Sequence, residues 1–112
     1  MHRGEIWWAE LPDLVGSEPG YRRPVVVVQD DMFNQSRINT VIVVIVTSNL
    51  QLANAPGNVL LPRDASGLPK DSVANASQIF TIDKQFLTER IGSLPEALQQ
   101  ELDEGLRTIL YL

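Results

Sequence analysis

Apolar runs separated by turn-forming residues make up most of the chain, and three such runs lie in its first half. Gly4 to Leu11 is rich in aromatic and branched side chains, which favour a strand. Val25 to Gln29, with Pro24 at the first strand position, and Thr40 to Thr47 are almost unbroken apolar runs. Runs of this kind are typical of strands covered on both faces, so we expect them at the centre of a sheet.

The second half carries shorter segments. Pro56 and Gly57 predict a turn, and Asp83 predicts the cap of a short helical turn over residues 84–87. Residues 12–22 and 63–70 contain Gly and Pro and are expected to be loops. Three further extended segments are predicted, namely Asn58 to Leu61, Ser72 to Ile82 and Arg90 to Gly92.

A C-terminal helix is predicted from two signals. Ser93 and Glu96 have the spacing of a capping box, in which each side chain bonds the backbone N–H of the other residue. Apolar residues then recur at spacings of three and four, which indicates a helix that packs on the core: Leu98, Leu102, Leu106, Ile109 and Leu110. Five or six short strands with one terminal helix indicate a mainly β (α+β) fold, a small, strongly bent antiparallel sheet or barrel.

Composition narrows the possible chemistry. The chain has 112 residues, which suits a single domain over residues 1–112, and it has no cysteine and one histidine, His2. Disulfides, thiol nucleophiles, and sulfur-containing or histidine-rich metal sites are therefore excluded, and we expect no cofactor. No apolar stretch predicts a signal peptide or a membrane span, so we expect a cytoplasmic protein.

The net charge of −5 argues against a nucleic-acid partner, because phosphate binding usually leaves a basic surface. The distribution of charge weakens this objection. The predicted C-terminal helix carries a net charge of −3, from four acidic residues and Arg107. The rest of the chain is therefore close to neutral.

Candidate chemistry lies where the two central strands begin and end. Arg23 precedes a buried strand, and its guanidinium suits a bidentate contact with phosphate; the alternative is a strand-end ion pair. Thr47, Ser48 and Asn49 can bind a phosphate oxygen or a base edge, but such a cluster more often forms a strand-terminating turn. Glu18 fits either a proton acceptor or a solvated loop charge. Trp7 and Trp8 face opposite sides of a strand; core or dimer packing is the favoured role, with base stacking as the alternative.

Taken together, these segments resemble the MazF/PemK toxin family over nearly the whole chain. The resemblance rests on Arg3-Gly4-Glu5-Ile6-Trp7, on residues 16–29 (GSEPGYRRPVVVVQ), on Thr47-Ser48 and on residues 78–84 (QIFTIDK). It implies a homodimer of SH3-like barrels that cleaves single-stranded RNA at short sequences. The products are a 2′,3′-cyclic phosphate and a 5′-hydroxyl, and no metal is required. The resemblance also implies an antitoxin whose flexible tail covers the RNA groove.

The resemblance assigns roles residue by residue. Arg23 and Thr47 correspond to the catalytic arginine and threonine, while Ser17 and Glu18 fall in the family's mobile loop. The general base stays open between Glu18, a water and a strongly perturbed Arg23. Residues expected to contact RNA are Ser17, Gly20, Tyr21, Arg22, Ser48, Asn49 and Gln78.

Two other functions fit the same fold. A gyrase-poisoning toxin of the CcdB type has a similar architecture, but it depends on a C-terminal end that contains tryptophan, and this chain ends Leu110-Tyr111-Leu112. A non-catalytic SH3-like binding module is the second alternative. Arg23 and Thr47 argue against it.

Overall fold

Six antiparallel strands and a C-terminal helix make up the computed structural model, which describes residues 1–11 and 21–112, with Tyr21 described in its backbone only. The strands are β1 (Glu5–Leu11), β2 (Tyr21–Val27), β3 (Thr40–Thr47), β4 (Val59–Leu61), β5 (Ser72–Asp83) and β6 (Leu87–Ser93). The helices are α1 (Asp31–Asn34), α2 (Arg63–Ser66) and α3 (Glu96–Leu110), and two 3₁₀ helices span Leu50–Asn54 and Lys84–Phe86.

All six strands belong to one antiparallel sheet in the order β4-β5-β3-β2-β1-β6. The two edge strands approach each other through α2, which follows β4: Gly92 on β6 lies so close to the Ser66 carbonyl that a Cβ would stand 2.6 Å from it. The sheet is therefore curled into a half-barrel. The predicted bent antiparallel sheet with a C-terminal helix is confirmed.

Both faces of the central strands are buried, as their apolar runs predicted. Val26, Val44 and Val46 lie on the face that packs against Leu102 of α3. Val25, Val27, Val43 and Ile45 lie on the other face, in a second cluster inside the curl of the sheet. Burial of these side chains stabilises the fold by about 1.5–3 kcal/mol each.

Several boundaries differ from the sequence predictions. β2 begins at Tyr21, so Pro24 is its fourth residue, and β6 extends over seven residues. The predicted loop at residues 63–70 contains α2. The helical turn after Asp83 is confirmed, because the Asp83 carboxylate accepts from the Gln85 N–H at 3.0 Å.

The predicted capping box is wrong. Ser93 is the last residue of β6, and its hydroxyl accepts from Arg90 Nη2 at 2.8 Å. The helix begins after Pro95 without a side-chain cap. The apolar stripe packs as predicted through Leu98, Leu102 and Leu106, whereas Ile109 and Leu110 are 37% and 51% exposed.

Candidate functional site

Arg23 and Thr47 lie on neighbouring central strands at the same end of the sheet. The printed register pairs Val25 with Ile45 and Val26 with Val44. This pairing ends at Val25–Ile45, and Arg23 and Thr47 each lie two residues beyond it on their own strand. Since side chains alternate along a strand, Arg23 shares the face of Val25 and Thr47 shares the face of Ile45.

Arg23 is held by the rigid part of the sheet. Its backbone pairs with Ala9 of β1, which is completely buried, and its own side chain is half-buried. The backbone of Arg23 is therefore fixed by the sheet, and the role of its guanidinium stays a prediction.

Thr47, Ser48 and Asn49 form a polar turn where β3 ends. The Thr47 hydroxyl accepts from the Asn49 N–H at 3.2 Å, and the Asn49 side chain accepts from the Gln51 N–H at 3.1 Å. The strand-terminating turn foreseen as the structural alternative is therefore present. An accepted bond leaves the hydroxyl hydrogen of Thr47 able to donate, so this turn orients the hydroxyl without consuming its donor. Ser48 is exposed.

Gln78 lies beside the same site, in an irregular part of β5. Its carboxamide oxygen accepts from Asn75 Nδ2 at 3.0 Å, and Asn75 pairs with Ile45, two residues from Thr47. The structure thus brings Gln78 to the end of the sheet that carries Arg23 and Thr47.

Arg22 is separated from that group. Arg22 and Arg23 are neighbours in β2, so their side chains point to opposite faces of the sheet. The Arg22 guanidinium lies 4.6 Å from the centre of the Trp8 ring. It also contacts Glu89 at 3.4 Å. Trp7, by contrast, packs on the inner cluster and donates from its indole N–H to Glu5 at 3.0 Å.

Ser17, Glu18 and Gly20 lie outside the described residues, and Tyr21 is described only as a strand residue paired with Leu11. The Leu11–Tyr21 pair is two residues from the Ala9–Arg23 pair. The segment that carries Ser17 and Glu18 is therefore attached at the Arg23 end of the sheet.

The opposite end of the sheet is organised by charge. Burial opposes ionisation of Glu5, but the His2 N–H, the Trp7 indole and Arg90 outweigh it and lower the pKa of this carboxyl. The Arg3 backbone N–H, followed by the Asn34 amide, lowers the pKa of Asp31. The Arg3 guanidinium also contacts Asp103 of α3 at 2.9 Å. These groups bind the N-terminal segment to the helix.

Two amides that the sequence did not single out, Asn58 and Asn75, contribute to the region around Gln78. An amide within the mostly apolar β5 was the one available signal for Asn75. Asn58 followed a predicted turn and carried no such signal.

Within residues 1–11 and 21–112, no group of three or more His, Cys, Asp or Glu side chains is arranged to hold a metal ion. Across that same part of the chain, no helix is both long and apolar enough to cross a membrane.

Comparison with known proteins finds relatives that all belong to one family. A family model for the PemK-like, MazF-like toxin of type II toxin-antitoxin systems matches residues 2–110. The chain is 50% identical to endoribonuclease MazF6 of Mycobacterium tuberculosis over 112 residues, covering 100% of this chain and 98% of that protein. It is 40% identical to endoribonuclease EndoA of Bacillus subtilis, covering 100% and 96%.

Solved structures show the same fold. A mycobacterial endoribonuclease in complex with its cognate antitoxin is similar with a TM-score of 0.81 at 23% identity, covering 100% of this chain and 96% of that one. MazF from Deinococcus radiodurans is similar with a TM-score of 0.79 at 23% identity, covering 100% and 97%.

Proposed function

Because the chain belongs to the PemK-like, MazF-like toxins of type II toxin-antitoxin systems, we propose that it is a metal-independent endoribonuclease that cuts single-stranded RNA at a short sequence. The observation that supports the proposal is that Arg23 and Thr47 lie on neighbouring strands, each two residues beyond the Val25–Ile45 pair, at the same end of the sheet. The curated relatives are named endoribonucleases. Neither the CcdB-type activity nor a non-catalytic module receives support from these relatives.

In the proposed reaction, the substrate's own 2′-hydroxyl attacks the adjacent phosphorus. The bond from phosphorus to the 5′-oxygen breaks, which leaves a 2′,3′-cyclic phosphate and a 5′-hydroxyl. The proton of the 2′-hydroxyl passes to a base, and the leaving 5′-oxygen takes up a proton. The protein's task is to position the strand, to move these protons and to offset negative charge on the phosphorane.

Arg23 and Thr47 suit the charge-offsetting task. A guanidinium donates two parallel hydrogen bonds to phosphoryl oxygens and stays charged at neutral pH. A hydroxyl two strand residues from Ile45 adds a neutral donor for a non-bridging oxygen. Arg23 also supplies a proton donor for the leaving 5′-oxygen. An ordinary arginine is a poor proton acceptor at neutral pH, so general-base catalysis is assigned to Arg23 only as one of three alternatives.

The other two candidates for the general base are Glu18 and a water. Glu18 belongs to the segment attached beside Arg23 through the Leu11–Tyr21 pair. The rate profile of Glu18→Gln against pH tests whether Glu18 is the base. If it is, the acidic limb of that profile is lost. If that limb is unchanged, Glu18 is not the base.

RNA contacts beyond the phosphate fall into two groups. The first group lies near Thr47 and consists of Ser48, Asn49 and Gln78. The second group precedes Arg23 in the chain and consists of Ser17, Gly20 and Tyr21, the first residue of β2. Arg22 is the weakest of the proposed RNA contacts, because its guanidinium covers Trp8 and contacts Glu89. A role for Arg22 requires a strand that passes over the outer face.

The proposed active form is a homodimer of this single domain. Ile42, Leu110 and Leu112 are exposed, and with Leu106, Ile79 and Val28 they form the apolar part of a groove at the end of α3 that charged side chains also line. A contiguous exposed apolar surface commonly marks an interface. Changing Leu110 to Asp should give a monomer in light scattering after size exclusion, whereas Thr108→Asp, on the same helix, should leave the dimer intact.

An antitoxin is the proposed protein partner, as in the mycobacterial complex. Its flexible, often acidic tail would cover the RNA groove and block Arg23, and flexible segments that order on binding can cover such a surface. The proposed cytoplasmic location follows from the substrate, since cellular RNA is found there.

The test is cleavage of single-stranded RNA by the purified protein in EDTA, followed by analysis of both new ends. We expect a cyclic phosphate and a 5′-hydroxyl. A requirement for a divalent metal, or products with a 5′-phosphate, would contradict the proposed mechanism.

A further inference from the structure

The pairing of β5 with β3 contains an unusual shift. Val44 pairs with Ile79, but the next residue, Ile45, pairs with Asn75. Ala76, Ser77 and Gln78 therefore have no partner on β3, and we call them the β5 bulge. Bulges redirect side chains and are over-represented next to active sites. This one carries Gln78 at the Thr47 end of the sheet.

Side chains within and beside the β5 bulge fix the orientation of the Gln78 amide. Asn75 Nδ2 donates to Gln78 Oε1 at 3.0 Å, and the Ser77 hydroxyl donates to Asn75 Oδ1 at 3.0 Å. The Gln78 oxygen accepts this one bond and keeps a second lone pair, and both Nε2 hydrogens stay available to a ligand. Gln78 can therefore donate a hydrogen bond from a fixed orientation.

One side chain from elsewhere in the fold joins the β5 bulge to the turn that follows Thr47. Asn58 Oδ1 accepts from the Ala76 backbone N–H at 2.9 Å, and Asn58 Nδ2 donates to the Leu52 carbonyl at 2.9 Å. Leu52 belongs to the 3₁₀ helix capped by Asn49. A single amide thus connects the Thr47 turn with the segment that carries Gln78.

Asn58 is itself fixed by its neighbours. Gly57 before it has a φ of +86°, which favours glycine, and it packs against Gly105 of α3 so closely that a Cβ at Gly105 would collide with the Gly57 carbonyl. The Asn58 N–H also donates to the Ala55 carbonyl at 3.1 Å. The amide is therefore held on a rigid turn.

We propose that Asn58 is a positioning residue for substrate selection: it holds the β5 bulge so that Gln78 donates to an acceptor group on an RNA base, such as a carbonyl oxygen. The inference rests on the proposed ribonuclease function. Asn58 does not contact substrate in this scheme. Its effect passes through the Ala76 backbone to Gln78, and the Leu52 bond keeps that geometry in register with Thr47.

The test is a double-mutant cycle on cleavage, with Asn58→Ala, Gln78→Ala and both changes together, assayed on RNAs that vary one base at a time. If Asn58 acts through Gln78, each single change lowers kcat/KM for the preferred RNA by about tenfold and flattens base preference in the same way. The double variant is then no worse than Gln78→Ala alone, because coupled residues are not additive. Multiplying losses, or an unchanged base preference in Asn58→Ala, would overturn the inference.

Asn58→Asp provides the conservative rescue, and it keeps the test decisive if Asn58→Ala fails to fold. It retains the acceptor for Ala76 but replaces the donor to Leu52 with a carboxylate oxygen, so it should flatten base preference less than Asn58→Ala does. A preference in folded Asn58→Asp as flat as in Asn58→Ala would overturn the inference. Asn54→Ala, an exposed amide at the end of the same 3₁₀ helix, is the matched control and should change nothing. If the unmodified protein cuts no RNA, the proposed function itself fails, which is a result distinct from multiplying losses.

Discussion

The two ends of the sheet are built from different chemistry. The end where β1 begins contains two ion pairs, one between Glu5 and Arg90 and one between Arg3 and Asp103. The end where β3 finishes uses hydroxyl and amide groups, with Thr47, Asn58 and Gln78 held by short-range hydrogen bonds. Ion pairs stabilise the first end. Neutral groups orient Thr47 and Gln78 at the second end.

The largest expected effect separates two adjacent arginines. Changing Arg23 to Ala should lower kcat for RNA cleavage by about 10²–10³-fold, the usual effect of losing one transition-state donor. Arg22→Ala is the matched control and should change kcat less than about threefold, since Arg22 contacts Trp8 and Glu89. Steady-state kinetics and thermal unfolding of both variants provide the measurement. Comparable losses of kcat in the two variants would remove the distinction.

A smaller effect on rate is expected at Thr47. Thr47→Val keeps the shape of the side chain and removes the hydroxyl, so kcat should fall by about 10- to 100-fold, because a neutral donor contributes less than a charged one. RNA affinity should change much less. Rates under single-turnover conditions and binding to a 2′-deoxy analogue separate these effects. Equal losses of rate and affinity would leave Thr47 with a binding role only.

A substitution at the charged end should lower the free energy of unfolding and leave kcat for RNA cleavage unchanged. The Glu5 side chain is 12% exposed and accepts from the Trp7 indole and the His2 N–H besides its contact with Arg90. Glu5→Ala leaves those donors without their partner, at a cost of about 1–3 kcal/mol in the free energy of unfolding. Denaturant unfolding checks this, with Glu10→Ala, exposed on the same strand, as control. A loss of kcat in folded Glu5→Ala would contradict the separation of the two ends.

The smallest effect is a dependence of stability on pH at Asp31. Its pKa is lowered below 3.8, mainly by the Arg3 N–H, so its contribution is present above that value and is lost as pH falls through the folded pKa. We expect Asp31→Asn to be less stable at neutral pH and to lose less stability on acidification. Thermal unfolding from about pH 6 to 2 measures the difference. Parallel curves for the two proteins would show that Asp31 does not contribute.

The sequence was most informative where a local pattern decides the structure. The apolar run from Thr40 to Thr47 predicted both ends of β3 correctly. The cap at Asp83 was also predicted correctly, because it involves only neighbouring residues. The capping box at Ser93 failed for a tertiary reason: Ser93 pairs with Glu5 in the sheet and binds Arg90, so the helix starts later.

The candidate site was only partly predictable for the same reason. Arg23 and Thr47 flank apolar strands, and their residue types indicated phosphate chemistry. The β5 bulge depends on Asn58, which is 18 residues from Ala76, and on pairing with β3. Neither is visible in the alternation of β5 alone. Glu18, Ser17 and Gly20 lie outside the described residues, so their roles stay predictions.

The most direct test of the central role of Arg23 uses a DNA strand with one ribonucleotide at the cleavage position, in EDTA, under single-turnover conditions. We expect a cut only after that ribonucleotide, slowed by about 10²–10³-fold in Arg23→Ala with little change in strand binding. Cutting of the all-DNA strand, or equal rates for the two proteins, would contradict it.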